Sequence, residues 1–178
     1  MNKIELLAPA GSMESLYAAV QNGADAVYLG GAKFSARAYA SNFDEENMIK
    51  AVEYCHLYNV KIYVTVNTAM KEEEIKEALE YVEFLYKIGV DALIIQDAGL
   101  AQLIKRNFPK FELHASTQMS IHNAEGALFL KNLGFSRIVL SRELSLDEIT
   151  HISKCLNIET EIFEIGRASC RERVYGEC

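Results

Sequence analysis

Tryptophan is absent, and the 178 residues include only two prolines and ten glycines. So few chain breakers exclude collagen-like and Pro-rich linker architectures. Hydrophobic content of 50% with 24% charge excludes a chain too polar to bury a core. No apolar run approaches the roughly 20 residues of a membrane span. The opening MNKIELLAPAG lacks the apolar segment of a secretion signal. Positive charge is also short: Lys+Arg 18 against Asp+Glu 25 leaves −7, so net charge advertises no nucleic-acid surface. Familiar catalytic fingerprints are missing, with no G-x-S-x-G, H-E-x-x-H, P-loop or G-x-G-x-x-G turn. These absences predict a cytoplasmic globular domain with no membrane partner.

What is present is alternation. Short β-branched runs, IELLAP (4–9), AVYLGG (26–31), KIYVTVN (61–67), ALIIQD (92–97), ELHASTQ (112–118), RIVLS (137–141) and IETEIF (158–163), are separated by amphipathic stretches of helical length. Ser145 to Glu148 reads as a capping box with Leu144 and Ile149 at staple spacing. Ser12, Asp44 and Asn123 are expected N-caps. Between Lys71 and Ile88, the residues Ile75, Leu79, Val82 and Tyr86 fall on one helical face, with Glu72–Lys76 and Glu83–Lys87 as i,i+4 pairs. A weak repeat, NGADAVYLG, IGVDALIIQ and LGFSRIVLS, places Gly23, Gly89 and Gly134 where a helix ends in a left-handed residue before a buried strand. Seven βα-type strands without a dinucleotide fingerprint predict an α/β fold. The expected form is a TIM-like (β/α)8 barrel, truncated within its seventh strand because a complete barrel takes about 250 residues.

After Phe163 the pattern changes. EIGRASCRERVYGEC (164–178), with three Arg and two Cys, has neither strand nor helix periodicity, and its plainest reading is a disordered tail. Back-translation of Ile165 to Val174 reads as a short sequencing adapter without a mismatch, whereas Tyr175 to Cys178 do not follow from it. The expected organisation is therefore residues 1–163 as a partial N-terminal barrel and 164–178 as a non-native tail. The tail carries equal numbers of Arg and Glu, so the balance of −7 survives its removal. Without Cys170 and Cys178, two thiols remain, Cys55 and Cys155. Neither has metal-site spacing, so both are expected to be buried and reduced, with no disulfide-linked partner.

In a parallel βα fold, chemistry collects where strands end. That rule selects Arg37, Asn67, Gln96, Ser116, Gln118 and Arg142 as substrate-binding candidates, and Asp97, His114 and Glu161 as catalytic candidates. The turn Ala8 to Ser12 suits either an anion or a plain βα connection. His114, Ser116 and Gln118 alternate along one strand and are expected to share a face. Together these residues suit a polar, anionic or planar hydrogen-bonding ligand. They supply no metal set and no defensible Ser–His–acid order.

The stretches ELLAPAG, NGADAVYLGG with FSARAYASNF, VTVNT, GVDALIIQD, ELHASTQ, GFSRIVLSREL and ETEIF strongly resemble the collagenase-like peptidases, family thirty-two among peptidases of unknown catalytic type. The resemblance covers residues 4–163 and stops where the family's histidine-, glycine- and cysteine-containing signature should follow Glu161 and Phe163. It implies a barrel that leads into further domains, and an iron–sulfur cluster held through cysteines absent from this chain, with no cofactor in the part present. It also implies an enzyme, one that hydroxylates bases of ribosomal or transfer RNA, with the ribosomal branch favoured. The alternatives are a peptidase acting on a peptide substrate, and a non-catalytic binding barrel within a larger complex. Truncation implies that the chain as written is inactive and poorly soluble, since its first and last strands become edges.

Overall fold

The computed structural model describes residues 4–36 and 43–163. Arg37, the proposed tail and the Cys155 side chain lie outside these described residues. Along them, strands and helices alternate: β1 (Leu7–Pro9), α1 (Met13–Gln21), β2 (Ala26–Gly30), α2 (Glu45–Leu57), β3 (Lys61–Val66), α3 (Ile75–Ile88), β4 (Ala92–Ile95), α4 (Ala98–Asn107), β5 (Glu112–Ala115), α5 (Ala124–Asn132), β6 (Arg137–Val139), α6 (Leu146–Leu156) and β7 (Glu159–Glu161). The strands form one parallel sheet in sequential order, with β1 and β7 at its ends. Consecutive parallel pairing with intervening helices is barrel topology, as the seven runs predicted.

Parity sorts each strand into two faces. On β3, Ile62, Val64 and Val66 join the outer core, against helix residues such as Val52, Val82 and Leu85. Tyr63 points the other way and packs in a smaller interior cluster with Ala26, Ala92 and Ile94. Burial on both faces explains why these strands are nearly continuous apolar runs.

The helices begin where their caps specify. Ser12, Asp44, Asn123 and Ser145 each accept a backbone N–H of the first turn, and Ser145 with Glu148 closes the expected capping box. Leu144 and Ile149 both pack on the core. The repeat glycines Gly23, Gly89 and Gly134 sit at φ of 90°, 89° and 97°, conformations that a Cβ would strain.

The third helix differs in detail. Residues Glu72–Glu74 form a tight 3₁₀ turn, which takes Glu72 out of the α-helical ladder; Lys76 instead approaches Glu80, while Glu83 and Lys87 pair at 2.7 Å. The fully buried line is Ala78, Val82 and Leu85, and Tyr86 lies at its edge against Phe108 and Phe111. Cys55 is free and wholly buried, and burial with the nearby Asp91 charge pushes its thiol up to about 12. It is an inert core group.

Candidate functional site

A cavity of about 330 Å³ opens at the C-terminal ends of the strands. Its floor includes Tyr28, Ile94 and Val139, inward residues of β2, β4 and β6, and its rim is built by the loops that follow. Gly30 carries the first of these loops. A Cβ there would come within 2.5 Å of Ser35 Oγ, so the bare backbone lets the 31–36 segment fold over the barrel mouth. Among the contacts that hold that segment, the Ser35 and Thr65 hydroxyls meet at 3.0 Å, Ala36 N–H donates to Asn67 Oδ1, and Thr68 donates to the Phe34 carbonyl. The amide oxygen of Asn67 is thus committed to the loop.

On the far side, the Arg142 guanidinium stacks over the Phe163 ring at 4.4 Å. Both line the cavity together with Gln118 and Ser116. Glu161 enters from β7. Its Oε2 is occluded and has no hydrogen-bond partner, lying 3.7 Å from Arg137 Nη1. Burial pushes its carboxyl up to about 7, with Glu5 adding to the effect and Arg137 only partly opposing it. A carboxyl at that value exchanges protons near neutrality.

Beneath the cavity, towards the N-terminal ends of the strands, the interior is filled and its charged groups are paired, while the buried Nδ1 of His114 has no partner among the described residues. Arg137 is 10% exposed and donates through Nη1 to Glu5 at 2.6 Å, and through Nε and Nη2 to Glu159 at 3.0 and 2.7 Å. Tyr63 donates to both oxygens of Glu5 and lies under the guanidinium. Burial pulls Glu5 up, but hydrogen bonds and charge from Arg137, the Tyr63 hydroxyl and the Lys61 charge outweigh it and hold Glu5 below its usual value. The network joins β6 and β7 to the segment before β1 through the interior. These side chains bridge the two ends of the sheet, whose terminal strands β1 and β7 do not pair among the described residues.

The predicted residues separate accordingly. Asn67, Ser116, Gln118, Arg142 and Glu161 meet at the cavity, whereas Gln96, Asp97 and His114 do not line it. Asp97 is the N-cap of α4: Oδ1 accepts Leu100 N–H at 2.8 Å and Oδ2 accepts Met70 N–H at 3.2 Å. Both of its oxygens serve the backbone. His114 is 1% exposed in the lower interior, edge-on to Tyr63 at 4.6 Å. Burial, then the Arg137 and Lys61 charges, hold it down to about 3, so it is a neutral packing group across the physiological range.

The shared face expected of His114, Ser116 and Gln118 needs correction. The strand ends at Ala115, and Ser116 caps a 3₁₀ turn over Thr117–Met119 by accepting the Gln118 N–H. A serine that bonds its own backbone breaks the two-residue alternation. Thr65, Tyr28 and Ser35 were not selected by the sequence. Tyr28 and Thr65 share the inward parity of Gly30 and Asn67, and that parity was the available signal.

One row of groups outside the cavity resembles a hydrolytic triad. Ser141 Oγ lies 3.5 Å from His122 Nδ1, and His122 Nε2 lies 3.6 Å from Glu143. Nδ1 also lies 2.8 Å from the Ser120 carbonyl, a contact that requires Nδ1 to carry the proton. In that tautomer it cannot accept one from Ser141.

Residues 11–172 match the family model described as Peptidase family U32. The 23S rRNA 5-hydroxycytidine C2501 synthase of Escherichia coli is 43% identical over 93% of this chain and 25% of its own length. The tRNA hydroxylation protein P1 of Bacillus subtilis is 39% identical over 92% of this chain and 39% of its own. A Porphyromonas gingivalis protein named collagenase is 37% identical over 88% of this chain and 37% of its own. The chain therefore spans between a quarter and two fifths of the length of these relatives. A solved U32 peptidase shares the fold with a TM-score of 0.71 at 13% identity, over 91% of this chain and 69% of that one.

Proposed function

The chain belongs to peptidase family U32, and from that premise we propose that it is the barrel portion of an RNA-base hydroxylation enzyme whose strand-end cavity receives a single unstacked base. The observation that carries this reading is the makeup of the cavity: a planar cation–ring pair, Arg142 over Phe163, beside amide and carboxyl side chains. Bases taken out of a helix are held by stacking on such surfaces and by hydrogen bonds to their edges. A volume of about 330 Å³ sits at the low end of small-molecule sites, which run from about 300 to 1,000 Å³. The relatives named for hydroxylation of ribosomal and transfer RNA support the same reading. The acidic balance is answered if the remaining length, as found in the relatives, carries the phosphate-binding surface.

The reading includes a cytoplasmic location, where ribosomal and transfer RNA are found, and among the described residues no helix is long and apolar enough to cross a membrane. It also includes an iron–sulfur centre held by cysteines elsewhere in the protein. The described residues contain no group of three or more His, Cys, Asp and Glu side chains able to hold a metal, so they do not fit that centre and no step is routed through it. The peptidase reading has the collagenase-named relative in its favour and the tautomer of His122 against it.

The test is the hydroxylated-pyrimidine content of ribosomal and transfer RNA, measured by mass spectrometry in cells with and without the gene. Loss of one hydroxylated pyrimidine on deletion is expected. Unchanged RNA, with purified full-length protein cleaving gelatin, overturns the proposal.

A further inference from the structure

The cavity and the buried network below it meet at Glu161. Three carboxylates, Glu5, Glu159 and Glu161, surround one guanidinium. Glu5 and Glu159 take its short hydrogen bonds, and Glu161 is left at 3.7 Å with an occluded, unpartnered Oε2. Among the described residues, the charges nearest this group are Lys61 and Arg142. Lys61 lies 3.6 Å from Glu5 and is itself largely exposed, and the neutral His114 of β5 offers no charge. Arg142, on the loop after β6, lies over Phe163 on the cavity wall. Glu159 is largely exposed and solvated, whereas Glu5 and Glu161 are sheltered and share the one guanidinium, so the worse paired of these two, Glu161, keeps its proton.

We propose that Glu161 recognises the cavity's ligand as a protonated carboxyl, turning Oε2 towards Arg137 and donating a hydrogen bond to a ring nitrogen or carbonyl oxygen of a nitrogen heterocycle. Arg137 is the positioning residue: at 3.7 Å it faces the acceptor side of the carboxyl, while its short hydrogen bonds go to Glu5 and Glu159. This inference rests on the base-pocket reading and deepens it. It assigns the group that meets the base edge and makes recognition depend on a proton. An ionised carboxylate cannot donate, so ligand is released as Glu161 ionises; the value of about 7 places that release near neutral pH.

Two measurements on the full-length protein test it. In the first, ¹³C-labelled glutamate carboxyls are titrated by NMR without ligand, with Glu161→Gln used to assign the resonance. A midpoint well above the ordinary carboxylate range is expected. In the second, cytidine and uridine binding is followed by calorimetry at about pH 6 and about pH 8.5, for wild type, Glu161→Gln and Glu161→Ala. A glutamine can turn its oxygen to Arg137 and its NH₂ to the ligand, so it mimics the protonated acid. The wild type should lose about tenfold in affinity at the higher pH. Glu161→Gln should bind within about threefold of wild type at low pH with a flat profile, and Glu161→Ala should bind at least about tenfold more weakly at low pH. An ordinary carboxyl midpoint, or the same pH dependence in wild type and Glu161→Gln, overturns the assignment and leaves the base pocket standing. Absence of nucleoside binding at either pH overturns the base-pocket reading itself, and this ligand with it.

Discussion

At the lower end of the barrel interior Arg137 is locked by short hydrogen bonds to Glu5 and Glu159, while at the upper end Arg142 lies across Phe163 beside an open cavity. Both ends hold a guanidinium, an aromatic ring and carboxyl or amide groups. In the lower set these groups satisfy one another and join β6 and β7 to the segment before β1. In the upper set several hydrogen-bonding groups face empty volume. A polar group that is paired within the fold contributes to stability; one held rigidly towards a cavity is available to a ligand. Glu161 stands at the boundary, buried like the lower set and lining the cavity like the upper.

Breaking the lower set should produce the largest effect. Arg137→Met removes the main partner of the half-buried Glu5 and should destabilise the protein by about 2 kcal/mol in urea unfolding, because charge-assisted hydrogen bonds are then lost. A loss under about 1 kcal/mol would show that the network does not hold the barrel.

The pH dependence comes next and carries two signs. His114 titrates at about 3 in the fold against 6.5 unfolded. The unfolded chain takes the proton first, so its contribution is lost as pH falls below about 6.5. Glu161 titrates at about 7 against 4.5, so its contribution is full below about 4.5 and is lost as pH rises to about 7. The two oppose each other between about pH 4.5 and 6.5. Glu161→Gln leaves His114 alone, and stability should rise by about 2 kcal/mol from pH 5 to 6.5; His114→Gln should show the opposite slope. Parallel slopes in the two variants would contradict these assignments.

Asp97→Ala should cost about 1 kcal/mol of stability through the lost cap of α4, while nucleoside affinity stays within about twofold of wild type. Gln118→Ala sharpens the contrast from the other side. This residue is exposed on the cavity rim, so stability should stay within about 0.5 kcal/mol while nucleoside affinity falls several-fold. If the two variants exchanged these effects, the division between lower and upper ends would be drawn in the wrong place.

Much of the fold was legible because local chemistry and global topology agree. Doubly buried strands such as KIYVTV must be continuous and apolar, and Ser145, Asn123 and Gly89 mark helix ends through bonds and dihedrals that act within a few residues. The site was legible by location and less so by residue. Asp97 stands at a strand end and also directly before a helix, and the helix claims it. His114 has strand parity that points inward, but its depth in the barrel follows from the stagger between strands, which one strand's sequence does not carry. The pairing of Arg137 with Glu5 spans 132 positions and is invisible to any local pattern.

We place the protein's chemistry at the strand-end cavity, with the paired interior beneath it holding the shape. The test restores a gene-deleted strain with the full-length gene carrying Gln118→Ala and Arg142→Ala together, beside one carrying Asp97→Ala, and measures hydroxylated pyrimidines in ribosomal and transfer RNA. The cavity variant should accumulate as folded protein and restore no modification, while Asp97→Ala restores it. Full modification by the cavity variant would contradict this placement.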